Sequence, residues 1–336
     1  MSGKELVEIS FPGLGIEPFT VDKVAIPIND KFDIRWYGIL IMVGMVLAFV
    51  YAIVRAKSAG FTLDDVLDIG LYTVIFGVIG ARLYYVLMRL DHYIYPGRGF
   101  FDTLLDMINL RGGGLAIYGG VLAGVATIII YSKIKKKNWW AALDMIAPGV
   151  MIAQAMGRWG NFFNGEAHGG IVDPSHPLYF MRMGLYPNDL GTSEMAYVHP
   201  TFLYESLWNI LGFVLIQVVY YRCKKKKFDG QVALSYLAWY GFGRMFIEGL
   251  RTDSLYIGPI RISQLVGFLC FAVCTGLMIF MLHRARKLRE AVEAEEYVPM
   301  YGAAAQQEKA DAAERNEAQC ADDESNNENQ EKKEEE

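Results

Sequence analysis

Long apolar blocks constrain this chain more than any other feature. Hydrophobic residues make up 53% of its 336 residues, and charged residues only 21%. A hydrocarbon core roughly 30 Å thick needs about 20 mostly apolar residues per helix. Seven blocks of about that length occur, at residues 36–54, 68–87, 112–131, 139–156, 201–221, 232–248 and 262–282. The sequence therefore predicts an all-α integral membrane protein with seven transmembrane helices, and it argues against an ordinary soluble protein.

The basic residues between the blocks predict the orientation. Clusters of Lys and Arg follow the first, third, fifth and seventh blocks, at residues 55–57, 133–137, 222–227 and 283–289. Loops rich in Lys and Arg stay on the cytoplasmic side of a membrane. All four clusters fall on one side of a seven-helix path, so we expect the N-terminus outside and the C-terminus in the cytoplasm.

Three regions follow from this path. We expect an extracytoplasmic N-terminal arm at 1–35 and a seven-helix catalytic domain at 36–290, with an outer loop or head region at 157–200. Residues 291–336 are expected to be a disordered acidic cytoplasmic tail, because the chain from Ala303 onward has 12 acidic and 4 basic residues and almost no apolar ones. Removing that charge of −8 from the total of −5 leaves +3 on the rest.

A few ionisable side chains interrupt the blocks. Each costs several kcal/mol within a bilayer unless it is paired or hydrated, so each marks a candidate functional position. Asp68 and Asp144 lie near cytoplasmic helix ends, where they can act as anchors. The remaining ones share a depth toward the outer side and form a polar layer near the outer leaflet: Arg82, Arg158, Glu166, Glu205, Arg244, Glu248 and Arg251. Structural ion pairs would explain part of this layer, but they leave cations in excess.

Residues 240–251, YGFGRMFIEGLR, put two arginines and a carboxylate on one helical face. Arg244 and Glu248 are four residues apart, Arg251 follows three later, and Tyr240 lies one turn earlier on the same face. An internal Arg–Glu pair accounts for Glu248 and leaves one arginine unmatched. A guanidinium near lipid headgroups suits phosphate, which it can bind through two parallel hydrogen bonds.

Residues 157–166, GRWGNFFNGE, supply the same chemistry at the end of another block. Arg158 is a second cation, and Asn161 and Asn164 are neutral donors that can orient it or bind hydroxyl groups. The glycines allow a sharp turn and a close backbone approach to a ligand. We therefore hypothesise that Arg158 and Arg244 converge on one phosphate.

Two further polar groups belong to the same layer. His199 opens the HPTFLYE motif before the fifth block, where it can be a helix cap, an interface anchor or a base. Tyr118 lies in the glycine-rich RGGGLAIYGG segment, which indicates close helix contact or unwound backbone inside the protein. That segment lacks the strand and the Gly-Lys-Ser/Thr ending of a nucleotide loop.

These motifs resemble the prolipoprotein diacylglyceryl transferase family. The most specific match is GRWGNFFNGE followed by Gly169, and the same order continues through RWYG (35–38), GARL (80–83), HPTFLYE, the Arg244/Glu248/Arg251 face and SQL (263–265). The resemblance implies a multi-pass enzyme of the bacterial plasma membrane that needs no metal or cofactor. It implies transfer of a diacylglyceryl group from phosphatidylglycerol to the lipobox cysteine of a prolipoprotein, the first step of lipoprotein maturation, with release of glycerol phosphate.

The resemblance also assigns roles. It makes Arg158 the contact to the phosphatidylglycerol headgroup and Arg244 the second essential arginine. Supporting positions in the substrate site are Tyr37, Asn161, Glu166, Gly169, Tyr240, Glu248 and Arg251. Some members carry a histidine where this chain has Tyr118, so the base stays open between Tyr118, His199 and none. Electrostatic stabilisation of the leaving phosphate is expected to dominate catalysis.

Two other functions compete with this interpretation. A secondary transporter for an anionic solute would also use arginines, but it favours inverted repeats, and no convincing repeat relates the halves. A metal-dependent phospholipid headgroup enzyme would need an aspartate-rich cluster near the membrane, and the sequence has none.

Overall fold

The structure is a computed structural model that describes residues 5–29, 32–95, 97–110, 113–188, 190, 193–252 and 254–293. Its helices are α1 (Trp36–Ala56), α2 (Leu63–Met88), α3 (Leu90–Tyr93), α4 (Phe100–Ile108), α5 (Ile117–Ile134), α6 (Trp139–Asn164), α7 (Thr201–Ile216), α8 (Gln231–Leu250) and α9 (Ile262–Glu293). Its strands are β1 (Leu6–Phe11), β2 (Ile16–Asp22), β3 (Val24–Asn29), β4 (Phe32–Arg35), β5 (Met183–Tyr186), β6 (Ala196–Val198), β7 (Tyr256–Ile257) and β8 (Ile260–Arg261). Of the predicted acidic tail, all but the end of α9 lies outside the described residues.

Seven of these helices coincide with the seven apolar blocks. Among the described residues, five are long and apolar enough to cross a membrane: Trp36–Ala59, Leu63–Met88, Ile117–Ile134, Thr201–Arg222 and Ile262–Arg289. The other two, α6 and α8, have 26 and 20 residues but carry many polar side chains. The expected mostly helical membrane protein agrees with these elements, whereas the count of seven spans and the orientation stay predictions.

The chain is not all-α, contrary to our expectation, because the N-terminal arm is built from strands. β1 and β2 form an antiparallel hairpin, and β1 also pairs with β5, which pairs with β6, giving the order β2-β1-β5-β6. Val7, Ile9 and Phe11 alternate along β1 and are buried, as period-two side chains on one sheet face should be. They join Phe162 of α6 and Phe202 of α7 in one apolar cluster. The arm thus anchors the sheet to the helix ends that carry the polar layer.

Glycines bring α2 and α5 into close contact. A Cβ atom on Gly119 would collide with the carbonyl oxygen of Gly80, so only hydrogen fits there. Small residues at such positions let helix backbones approach closely inside membranes. The expected close helix contact of the glycine-rich segment is therefore present at Gly119, while Arg111 and Gly112 lie outside the described residues.

Arg82, which the sequence placed in the polar layer, binds backbone carbonyls rather than carboxylates among the described residues. Its guanidinium donates to four backbone carbonyls, those of Asp106 and Met107 at the end of α4 and those of Gly113 and Gly114 before α5, at 2.7 to 3.0 Å. The carbonyls that end a helix lack partners within it, and a cation there is favourable. Arg82 therefore has a structural role, because it connects the end of α4 to the segment that precedes α5.

Asp144 is also structural, but not in the expected way. It is buried, and its carboxylate accepts hydrogen bonds from the backbone N–H groups of Gly230 and Ala233 at 2.8 Å each and pairs with Lys226 at 2.9 Å. It thereby caps the start of α8, where N–H groups lack helical partners. Rather than reaching the interface as an anchor, Asp144 fixes α8 against α6.

Gly119→Ala and Gly120→Ala form a matched pair that tests the packing of α2 against α5. We expect Gly119→Ala to lower the melting temperature of the detergent-solubilised protein by several degrees, because overpacking costs about 1–3 kcal/mol. At Gly120 the nearest neighbour of an added Cβ is 3.4 Å away, so Gly120→Ala should melt close to wild type. Equal melting temperatures for the two variants would contradict this packing.

Candidate active site

Glu205 on α7 is the centre of the polar layer. Its carboxylate is only 4% exposed and contacts three guanidinium groups. Arg158 Nε lies 2.6 Å from Oε2, Arg244 Nη1 lies 2.5 Å from Oε1, and Arg251 Nη1 lies 3.5 Å from Oε1. The structure thus brings Arg158 of α6 and Arg244 of α8 together on one carboxylate.

Glu248 is the second carboxylate of the cluster. It is 1% exposed, with Oε2 at 2.5 Å from Arg244 Nη2 and 3.9 Å from Arg251 Nε. The i, i+4 spacing of Arg244 and Glu248 on α8 produces the first of these pairs. Among the described residues, three guanidinium groups and two carboxylates are therefore joined by direct ion pairs, and the formal charges of this five-residue ion-pair cluster sum to +1.

Asparagine side chains connect the cluster to the end of α6. Arg158 Nη1 donates to Asn161 Oδ1 at 3.2 Å, and Asn161 Nδ2 donates to Glu166 Oε1 at 3.2 Å. Asn164 Nδ2 donates to the same oxygen at 3.0 Å. Glu166 therefore reaches Arg158 only through Asn161 in these contacts.

The local sequence explains why α6 ends here. Gly165 adopts a left-handed conformation with φ of 63°, its N–H bonds to the carbonyl of Phe162, and the Glu166 N–H bonds to the carbonyl of Asn161. This pair of bonds is the Schellman ending of a helix, which favours glycine at the left-handed position. Arg158 and Asn161 are therefore helical residues, and only the final glycine of the GRWGNFFNGE motif makes the turn that the sequence suggested for all three.

A cavity of about 220 Å³ adjoins the cluster. That volume suits a small polar group rather than a whole phospholipid. Of the three cluster arginines, only Arg158 lines it. Among the described residues, its lining consists of Tyr37, Gln154, Gly157, Arg158, Asn161, Glu205 and Tyr240.

Glycines shape the cavity wall on α6. A Cβ on Gly157 would meet no atom within 4 Å, so this position borders open space. A Cβ on Gly160 would lie 2.7 Å from the Tyr37 ring, which packs directly on the helix backbone. Tyr240 also lines the cavity, and its phenol interacts electrostatically with Arg244, Glu205 and Arg158.

Gly169 lies outside the cavity wall and organises the backbone near Arg251. Its N–H donates to the carbonyl of His199 at 2.9 Å, and Gly169 forms an antiparallel bridge with Arg251. A Cβ here would lie 2.6 Å from the His199 Cβ and 2.9 Å from the Leu250 carbonyl oxygen. Only glycine fits where the segments around Gly169, His199 and Leu250 meet. Their contact holds Arg251 beside Glu205.

The two candidate bases also lie outside the residues that line the cavity. The His199 ring is buried against His176 with centroids 4.9 Å apart, and its Nδ1 is 3.4 Å from the Tyr204 hydroxyl. Burial, and secondarily the neighbouring His176, lower the pKa of His199 and keep its ring neutral. The Tyr118 hydroxyl is 3.5 Å from Ser263 Oγ, which links α5 to α9.

A family model described as prolipoprotein diacylglyceryl transferase matches residues 23–280. The chain belongs to this family. A Clostridium perfringens relative named phosphatidylglycerol–prolipoprotein diacylglyceryl transferase 1 is 42% identical over 265 residues, which cover 78% of this chain and 95% of the relative. Relatives with the same enzyme name, without the number, come from Clostridium kluyveri and Listeria monocytogenes. Each is 39% identical over 272 residues, which cover 80% of this chain and 100% and 92% of the respective relatives.

The family inferred from the motifs is therefore confirmed, and with it the transferase class. The matched segment includes all five members of the ion-pair cluster and the whole lining of the cavity. In this chain the cluster residues lie on α6, α7 and α8, with Arg251 directly after the end of α8.

Sequence reasoning missed two residues of this site. Glu205 was placed in the polar layer but not assigned to the substrate site, although a carboxylate in an apolar block of a chain whose other blocks carry arginines is a signal for a shared ion-pair partner. Gln154 was not singled out at all. Its signal was its spacing, since it lies four residues before Arg158 and therefore on the same face of α6.

Glu205→Gln tests whether this carboxylate holds the cluster together. Removing its charge leaves three guanidinium groups around one carboxylate, and breaking a buried pair typically costs about 3–5 kcal/mol. We expect a clearly lower melting temperature in detergent. Glu166→Gln is the control, because Glu166 is exposed and contacts only asparagines here. Its effect should stay within about 0.5 kcal/mol. Equal melting of both variants would refute the central role of Glu205.

Proposed function

We propose that this protein transfers the diacylglyceryl group of phosphatidylglycerol to the lipobox cysteine thiol of prolipoproteins. A thioether forms and glycerol phosphate leaves, which is the first step of bacterial lipoprotein maturation. One observation carries the proposal: a cavity lined by Arg158, whose guanidinium belongs to a cluster in which the described residues bring three arginines to two carboxylates. The names of the relatives support the same substrates.

The proposal includes seven spans in the bacterial plasma membrane, with the N-terminus outside. The length of α6 supports a span from the cytoplasmic side to the outer side. Arg158 lies 19 residues after Trp139, which begins the helix next to the basic segment 133–137. At 1.5 Å per residue this distance is about 29 Å, close to the thickness of the hydrocarbon core. If residues 133–137 are cytoplasmic, Arg158 reaches the level of the outer headgroups.

Arg158 is the residue we assign to the phosphate. It alone among the cluster arginines lines the cavity, and Glu205 and Asn161 fix its guanidinium through Nε and Nη1. Fixed donors cost little reorganisation when charge develops, which is the basis of electrostatic catalysis. Arg244 and Arg251 compensate the charge of Glu205, so that Arg158 is not fully neutralised and retains attraction for an anion.

The other site residues support this arrangement. Tyr37 and Tyr240 form the walls against which the lipid headgroup lies. Asn161 and Glu166 orient Arg158, Glu248 balances Arg244, and Gly169 keeps the segment that bears Arg251 in place. The side-chain and backbone contacts described above support these proposed roles.

The proposed reaction is a displacement at the glycerol carbon that bears the phosphate. The cysteine sulfur forms a bond to this carbon as the carbon–oxygen bond breaks, and the electron pair stays on the phosphate oxygen. The thiol proton leaves with the phosphate or passes to water. An ordinary thiol has a pKa near 8.5 and ionises with little assistance. Tyr118 and His199 do not line the cavity, so we give them supporting positions and place the main stabilisation on Arg158.

Arg158→Ala tests the function and the assignment together. The assay is thioether formation on a lipobox peptide with phosphatidylglycerol in detergent. We expect turnover to fall by about 10²- to 10³-fold, as for the loss of a fixed donor to a developing anion. The melting temperature should stay near wild type, because Glu205 keeps two arginine partners. Arg222→Ala, at an exposed position outside the cluster, is the control. Unchanged turnover in Arg158→Ala would refute the headgroup contact.

A further inference from the structure

Gln154, which lines the cavity, has a buried hydrogen-bond acceptor that the proposed roles leave unused. Gln154 borders the cavity on α6, and its Nε2 donates to the Tyr236 hydroxyl of α8 at 3.0 Å. Its Oε1 is buried and, among the described residues, has no hydrogen-bond partner. Buried polar atoms in proteins are nearly always paired, so such an atom at a binding cavity indicates a partner supplied by a ligand.

The position of Gln154 on α6 determines which part of the reaction it faces. It lies four residues before Arg158 on the same side of the helix, about 6 Å farther from the outer end. A phosphatidylglycerol in the outer leaflet with its phosphate at Arg158 directs its acyl chains toward the bilayer centre. The level of Gln154 therefore corresponds to the attacked carbon and the incoming nucleophile, not to the hydroxyls of the headgroup, which point the other way.

The partner of Gln154 Oε1 must be a hydrogen-bond donor. The diacylglyceryl part of the lipid presents ester oxygens, which accept hydrogen bonds and cannot satisfy another acceptor. On this side of the phosphate, the hydrogen-bond donors belong to the prolipoprotein cysteine. Its thiol attacks from the side opposite to the leaving phosphate, which is the side of Gln154.

We propose that Gln154 Oε1 accepts a hydrogen bond from the thiol of the prolipoprotein cysteine and orients its sulfur toward the carbon next to the phosphate. The inference rests on the proposed function. Gln154 is then a substrate-contacting residue for the peptide, as Arg158 is for the lipid. Tyr236 is a positioning residue, because its hydroxyl accepts from the amide nitrogen and thereby fixes the amide group that bears the oxygen.

Binding of inactive peptides tests this contact without turnover. A lipobox peptide with serine in place of cysteine keeps a donor, whereas one with alanine has none. We expect the wild-type protein to bind the serine peptide about tenfold more tightly than the alanine peptide, the size of one hydrogen bond in a buried site. In Gln154→Met, which has similar volume and no amide oxygen, this ratio should fall to about one.

Gln217→Met is a matched control. Gln217 also donates to a tyrosine hydroxyl, that of Tyr51 at 2.7 Å, but it follows the C-terminal end of α7 and does not line the cavity. The Gln217→Met variant should keep the tenfold ratio of the two affinities. Tyr236→Phe leaves Gln154 in place and should reduce the ratio partially, which provides a second test if Gln154→Met proves unstable.

Kinetics separate failure of this inference from failure of the proposed function. In Gln154→Met we expect a raised KM for the cysteine peptide and a nearly unchanged KM for phosphatidylglycerol. A raised KM for the lipid with an unchanged KM for the peptide would overturn the inference, as would an unchanged ratio for the serine and alanine peptides. In either case active wild-type protein would leave the proposed function standing. A wild-type protein without thioether activity would refute the function itself.

Discussion

The shared contact of Arg158, Arg244 and Arg251 with Glu205 is the interaction on which the site depends. A buried carboxylate or guanidinium is very unfavourable unless it is paired, and each member of this cluster is paired with at least one opposite charge. Among the described residues, three cations contact two anions, so every member of the cluster is paired while the arginines outnumber the carboxylates. That excess of arginines supports the proposed attraction of an anionic headgroup to this site.

The fold places this cluster through features that are unrelated to charge. Asp144 caps the start of α8 and ties it to α6, while the apolar side chains of β1 join Phe162 and Phe202 at the other ends of α6 and α7. The crossing at Gly169 adds the end of α8, which carries Arg251. The cluster is therefore held from both ends of the helices, and its donors can remain fixed while charge develops on a substrate.

Much of this could be predicted from the sequence, since hydropathy and helical spacing are local properties. The seven long helices, the family motif and the shared face of Arg244 and Glu248 all follow from such patterns. The strands of the arm could not, because β1 pairs with β5, which lies more than 170 residues away in the chain. Arg82 and Glu205 show the same limit. Both are ionisable groups in apolar blocks. Only tertiary contacts reveal that Arg82 binds backbone carbonyls, whereas Glu205 forms ion pairs with three arginines.

The most direct test of the account is an experimental structure of the protein with phosphatidylglycerol bound, for example from crystals grown in a lipid mesophase. The account predicts the phosphate within hydrogen-bond distance of the Arg158 guanidinium, with the Arg158–Glu205 and Arg244–Glu205 pairs retained behind it. A phosphate bound away from Arg158, with all three arginines still occupied by Glu205 and Glu248, would contradict the central claim that the surplus charge of this cluster recognises the lipid.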